Sequence, residues 1–275
     1  MEKTCYNKID TDVSILLYGY FFTHKGEALM KKIVGLISTT ILILTLLCVQ
    51  SAFAMCSNGA NNSHEEFTKQ SLKILQNDKG QAVSAFYSKY KNTLLEYCVK
   101  PDKDEIGYAF AYHFYDPNSN KNYLPSAVPA SKTTALVKFK DHMKNAVNNY
   151  KTNKEFSMQE LGRALHFLED VNVAHHAANL IGGITSHTQY EKYIDKDETK
   201  YFVSTSNAYN KFSNYNFENY YIALFNECAR YANSFKDTAK SYKEADWDKV
   251  ARPTLKLCQE DMASLLYRFE KEVSK

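Results

Sequence analysis

The chain has 275 residues, 44% of them hydrophobic and 24% charged, a balance that supports a sizeable core and excludes wholesale disorder. Lys and Arg number 34 against 31 Asp and Glu, and the net charge of +3 is too small to mark a nucleic-acid binder by bulk electrostatics. Nine glycines and five prolines exclude collagen-like and low-complexity chains and make a turn-rich β-sandwich a poor reading.

In chain order, the first organised segment starts at Met30. Lys31 and Lys32 precede an apolar run from Ile33 to Val49, and Ala52-Phe53-Ala54 follows it. A basic start, an apolar core and a small-residue cleavage site predict a secretory signal peptide over 30–54. Gly35 and Ser38-Thr39-Thr40 interrupt the run, which argues against a membrane anchor. Met55 is a poor residue before a lipidated cysteine, so Cys56 is not read as a lipid anchor. Residues 1–29 have no role in such a signal. Lys25-Gly26-Glu27 can be encoded by AAAGGAGAA, a ribosome-binding sequence upstream of a start at Met30. Residues 1–29 are therefore expected to be a non-native upstream extension, and 55–275 the exported, extracellular chain of a bacterium.

That exported part reads as helices almost throughout. Ser63-His64-Glu65-Glu66 has the form of a capping box and predicts a helix to about Gln76. Val83, Phe86, Tyr90, Leu94 and Leu95 keep a helical period over 80–97. Residues 100–130 read as irregular, with prolines at 101, 117, 125 and 129. A helix is expected over about 131–150, and Ser157-Met158-Gln159-Glu160 reads as a second capping box whose helix runs to about Val173. Two long helices, near 216–240 and 244–272, close the chain. No strand alternation, internal repeat or interdomain linker is visible. The expected fold is all-α, one compact multi-helix domain.

Four cysteines fall in this part: Cys56, Cys98, Cys228 and Cys258. Export permits disulfides, and four cysteines allow three fully paired connectivities. Cys228 and Cys258 lie in neighbouring helical segments and could pair. No CxxC is present, which argues against a thiolate zinc site.

The histidines carry the strongest signal. His166 and Asp170 are four apart within one predicted helix, so both side chains leave the same face. His187 and Glu191 repeat the spacing, and His176 lies between the two pairs. Imidazole plus carboxylate at i, i+4 suits zinc. A single such pair is more often a surface ion pair, but two within 26 residues are a much stronger sign.

The run His166-Phe167-Leu168-Glu169-Asp170 through His176-Ala177-Ala178-Asn179 resembles the central motif of the bacterial zinc-dependent phospholipases C, which share their fold with the S1/P1-type nucleases. His113-Phe114-Tyr115-Asp116-Pro117 is similar to a second family element, and Pro101-Asp102-Lys103-Asp104 to the loop bearing an essential aspartate. Glu169 stands where the family pattern has glycine, and Ala174 where it has proline. The mature terminus would be Met55 rather than tryptophan, and with helices read to the last residue no appended β-sandwich for membrane docking is expected.

The resemblance implies three zinc ions. One would take His113, His166 and Asp170, and another His176, His187 and Glu191. The third would take the Met55 amine and carbonyl, His64, and Asp170 as a bridge. Three protein ligands per ion leave positions for water and substrate. Metal-bound water ionises near neutral pH, and Asp102 would be the general base orienting the attacking water. Phe110 would contribute an aromatic face to the head-group pocket, against plain core packing as the other reading. His142 and His175 read as ordinary surface or packed residues, and Asp116 as a turn residue before Pro117. The implied activity is cleavage of the glycerol–phosphate ester of phosphatidylcholine-like lipids, by a monomer acting at a membrane surface without nucleic acid. The alternatives are a sibling zinc phosphodiesterase (a nuclease, or a sphingomyelin or phosphoinositide hydrolase) and a non-catalytic zinc-stabilised surface protein.

Overall fold

The computed structural model describes residues 31–34 and 62–275. The chain divides into two units, residues 1–50 and 51–275. In the first, residues 31–34 are helical and exposed. The expected extension 1–29, the rest of the expected signal peptide, Met55 and Cys56 lie outside the described residues. No helix among the described residues is long and apolar enough to cross a membrane.

The second unit is all-α. Its helices are α1 (Ser63–Lys79), α2 (Gln81–Ser88), α3 (Lys91–Tyr97), α4 (Lys100–Asp104), α5 (Ala135–Asn149), α6 (Lys154–Asp170), α7 (Ala174–Ala177), α8 (His187–Asp195), α9 (Phe217–Asn233), α10 (Lys236–Ala239) and α11 (Glu244–Val273). Short 3-10 turns cover Gly107–His113, Pro129–Lys132, Glu198–Tyr201 and Ala208–Asn210. The only strand-like pairing among the described residues is an isolated bridge between Asp116 and Lys121.

Local details depart from the sequence expectations in instructive ways. Neither capping box forms. Helix α1 is preceded by Asn62 without a side-chain cap, and the Ser63 hydroxyl donates instead to Asp195 of α8. Helix α6 starts three residues before Ser157, because the Asn153 side chain accepts from the Phe156 N–H. Ser157 is then free to donate to the Ala146 carbonyl of α5 at 2.6 Å, and Glu160 faces His142. A tertiary partner outweighs the local cap in both places. The helix expected over 80–97 is two helices, α2 and α3, separated at Lys89–Tyr90. Gly80, at φ 80°, ends α1 in the left-handed region that glycine adopts without a Cβ penalty.

The main core lies between α5, α6, α9 and α11. Phe139 stacks on Phe225 at 4.8 Å between ring centres, and Phe139, Phe167, Phe225, Tyr220 and Phe269 are fully buried. Each such side chain contributes about 1.5–3 kcal/mol by leaving water. A second cluster of Phe67, Val173, Tyr190, Trp247, Val250 and Leu255 packs beneath α7 and α8. The Asn233 amide of α9 donates to the Ala177 carbonyl at 2.6 Å and fixes the short α7.

One glycine sets the distance between α3 and α6. A Cβ on Gly162 would meet the Leu94 carbonyl oxygen and the Tyr97 Cβ, each at 2.9 Å. Its absence lets α6 come close enough for a histidine one turn later to reach the backbone at the C-terminal end of α3.

Candidate metal centre

That histidine is His166. Its Nδ1 lies 2.8 Å from the Cys98 carbonyl oxygen, an acceptor, so Nδ1 carries the proton and Nε2 keeps a lone pair. The Nε2 atom faces inward. It lies 2.9 Å from His113 Nδ1, 3.1 Å from Asp170 Oδ2 and 3.5 Å from Asp102 Oδ1. His113 Nδ1 is in turn 2.8 Å from Asp170 Oδ2. Helix α6 brings His166 and Asp170 to one face by their i, i+4 spacing, and the 3-10 turn Gly107–His113 delivers His113 opposite them. His113, His166 and Asp170 can thus offer three ligand atoms to one ion.

The second group forms between α7 and α8. His176 Nδ1 lies 2.9 Å from the His113 carbonyl oxygen, which again leaves Nε2 as the free nitrogen. That Nε2 is 3.2 Å from Glu191 Oε1, and His187 Nε2 is 2.7 Å from the same oxygen. The His187–Glu191 spacing places both on one face of α8, and the three side chains form a second donor group.

His64 belongs to a third group, with Asp102 and His166. Its Nε2 is 3.7 Å from Asp102 Oδ2 and 3.7 Å from Asp170 Oδ1. Its ring lies 4.1 Å from that of His166. Asp170 therefore turns one oxygen toward His113 and His166 and the other toward His64. Asp102 stands closer to the donors than a detached base would. Its oxygens face His64, His113 and His166, and its side chain is 3% exposed. Met55, the remaining expected ligand, lies outside the described residues.

The residues fit a metal ion by their polar bookkeeping. Nε2 of His64, both oxygens of Asp102 and Oδ1 of Asp170 are buried without a hydrogen-bond partner. Leaving such groups unpaired costs about 1–3 kcal/mol each, more when charged. They converge on one another, and a bound cation is the partner that would satisfy them together. The ionisation pattern has the same origin. Burial alone would raise Asp170 and Glu191, but the histidines around them hold Asp170 well below the usual carboxylate range and Glu191 down to about 2. Burial pushes Asp102 up to about 7 against the pull of His64 and His113. Burial also drops His166 to about 3, despite the attraction of Asp170. Burial opposes charge on His64, yet Glu169, Asp102 and Asp170 together raise it to about 10.

The other singled-out residues separate by packing. Phe110 is 7% exposed, with its ring against His113 and Phe114. His142 pairs with Glu160 at 2.9 Å and stacks on Phe167. His175 is fully buried and stacks on His187 at 5.1 Å. Asp116 closes a turn, accepting from the Asn118 N–H at 2.9 Å. Cys228 and Cys258 are not bonded to each other: both are free, as is Cys98. The Cys228 thiol donates to Asp261 and the Cys258 thiol to Met262 Sδ.

Two acidic residues near the centre were not anticipated in these positions. Glu105 pairs with Lys138 of α5 at 2.6 Å and sets its other oxygen 3.7 Å from His113 Nε2. Glu169 is fully buried, with Oε1 3.2 Å from His64 Nδ1. Glu105 follows Asp102 in an acidic run whose spacing does not single it out. Glu169 was visible only as an unusual residue between two expected ligands.

The profile of the zinc dependent phospholipase C family matches residues 63–235. The phospholipase C of Clostridium novyi is 27% identical over 247 residues, covering 82% of this chain and 58% of the relative. That of Clostridium haemolyticum is 26% identical over 275 residues, covering 89% and 67%. A phospholipase C of Bacillus cereus is 38% identical over 107 residues, covering 36% of this chain and 35% of that one. The chain thus spans little more than half the length of the Clostridium novyi protein. The alpha toxin of Clostridium absonum shares the fold, with a TM-score of 0.71 at 23% identity over 80% of this chain and 65% of the toxin. The matched residues hold every described donor of the three groups, and this chain belongs to the zinc-dependent phospholipase C family.

Proposed function

We propose that this chain is an exported zinc phosphodiesterase that cleaves the glycerol–phosphate ester of phosphatidylcholine-like phospholipids, releasing diacylglycerol and a phosphorylated head group. The observation that carries the reading is the presence of three donor groups, two of which share His166, with Asp170 facing both His113 and His64. His113, His166 and Asp170 would hold one ion and His176, His187 and Glu191 a second. His64 and Asp170, with the freed amine and carbonyl of Met55, would hold a third. Zinc bound there supplies positive charge for the phosphate oxygens and lowers the pKa of a coordinated water.

The chain's own groups do the rest. Asp102 carries no hydrogen bond at either oxygen and accepts the proton of the attacking water. The carbonyls of Cys98 and His113 hold the imidazoles of His166 and His176 with Nε2 inward. A lipid substrate is favoured over a nucleic acid by the loops that lead into the site. Ile106 and Tyr108, between Asp102 and His113, are 74% and 46% exposed. Ile184, between His176 and His187, is 69% exposed. Apolar side chains held in water on both loops suit contact with acyl chains.

The test is hydrolysis of phosphatidylcholine vesicles and of single-stranded DNA, each with and without a zinc chelator. Chelator-sensitive release of phosphocholine without DNA cleavage supports the reading. DNA cleavage alone would replace it with a nuclease, and zinc binding with no hydrolysis of either would make the chain a non-catalytic zinc protein.

A further inference from the structure

Two histidines of the centre present Nε2 inward while a backbone carbonyl holds Nδ1. For His166 the outer nitrogen meets the Cys98 carbonyl at 2.8 Å, and for His176 it meets the His113 carbonyl at 2.9 Å. His64 has no backbone carbonyl in this role. The group beside its Nδ1 is Glu169 Oε1, at 3.2 Å. This approach is an ion-pair contact rather than an aligned hydrogen bond, and neither Glu169 oxygen has a hydrogen-bond partner. Both side chains are 0% exposed.

A buried carboxylate in this place needs an explanation. Glu169 precedes Asp170 on α6 but leaves the helix on another side, toward α1. A buried carboxylate contributes little to stability by itself. It also stands outside all three donor groups, so it is placed as an orienting group rather than as a ligand. A carboxylate on the outer nitrogen of a metal-ligating histidine fixes the tautomer and makes the inner nitrogen a stronger donor.

We propose that Glu169 is the positioning residue of His64: it holds the proton on Nδ1 and so leaves Nε2, facing Asp102 and Asp170, as the metal-binding nitrogen. The inference rests on the metal-centre reading above. Two imidazoles of the centre are anchored by neutral carbonyls, whereas the His64 imidazole is anchored by a full negative charge. The affinity for the ion held by His64 therefore depends on a side chain that can be replaced without touching any donor.

The experiment uses the zinc-loaded chain and reads coordination directly. Nitrogen and proton NMR of selectively labelled histidine should show His64 bound through Nε2, with its proton on Nδ1. Glu169→Gln keeps the shape and removes the charge. It should weaken the most loosely held zinc by roughly 10–100-fold in chelator competition, the usual scale for such outer partners. The zinc held by His176, His187 and Glu191 should keep its affinity. Coordination of His64 through Nδ1 in the parent chain would overturn the proposal without any variant. So would a Glu169→Gln chain that binds every zinc as the parent does. Loss of zinc with the His64 signals unchanged would make Glu169 a ligand instead, and would also overturn it. A parent chain that binds no zinc at all would reject the underlying metal centre.

Discussion

Asp170 and Asp261 are both fully buried carboxylates on helices of the same unit, and they are satisfied in opposite ways. Asp261, on α11, receives the Lys211 ammonium at 3.0 and 3.2 Å on its two oxygens, and the Cys228 thiol besides. Its cation belongs to the chain. Asp170, on α6, faces ring nitrogens of His113, His166, His176 and His64, and its Oδ1 has no hydrogen bond. Its partners are imidazoles, which carry positive charge only when protonated. The first carboxylate is a closed structural pair. The second belongs to the donor set that we propose a cation from outside completes. Burial of a charge alone does not mark a functional site; the identity of its partners does.

The comparison can be broken most forcefully at Asp170. Asp170→Asn should lose at least one zinc by metal analysis, and its turnover should fall below that of any other single variant considered. Retention of all zinc would show that Asp170 is as closed as Asp261. Next in size, Asp102→Asn should keep the fold by circular dichroism and keep its zinc, while turnover drops by roughly 10²–10⁴-fold. Zinc loss in that variant would place Asp102 among the ligands rather than as the base.

At the structural carboxylate the effects should be smaller and separate from metal. Lys211→Met removes the cation and leaves Asp261 buried alone. The cost should lie toward the lower end of about 3–5 kcal/mol, because the Lys211 side chain keeps 26% of its exposure. Urea unfolding measures it, and zinc content should not change. A variant that loses zinc instead would join two networks kept apart here. The smallest effect is a pH dependence. Burial pushes Asp261 up to about 6 against the pull of Lys211, above its ordinary 3.8. Folding therefore takes up a proton between those values. The contribution of this group to stability is fully present below about pH 4, falls as pH rises to about 6, and stays flat above. Asp261→Asn should remove that slope from the pH profile of unfolding.

The fold class and the two i, i+4 pairs were legible because they rest on local spacing, whereas His64 and His113 entered only through the family resemblance. His166 with Asp170, and His187 with Glu191, are set four apart by helix geometry that needs no tertiary knowledge. Helix starts were misread where a tertiary partner took the capping residue, as Asp195 takes Ser63 and the Ala146 carbonyl takes Ser157. The closeness of Asp102 to three histidines is a product of folding, since the segment from 100 to 113 reads as irregular. Glu105 and Glu169 were illegible for a related reason. A glutamate in an acidic run, or at the end of a helix, looks like a solvated residue until the chain that covers it is known. Gly162 likewise shows its purpose only when α3 is laid against α6.

The central claim is that the three donor groups are completed by metal, and zinc content joined to melting temperature tests it most directly. The account expects about three zinc ions in a chain beginning at Met55, and a melting temperature that falls by roughly 10 °C or more on their removal, since bound metal is folding free energy in such a site. Unchanged melting after verified removal of zinc, or a folded chain that takes up none, would contradict it.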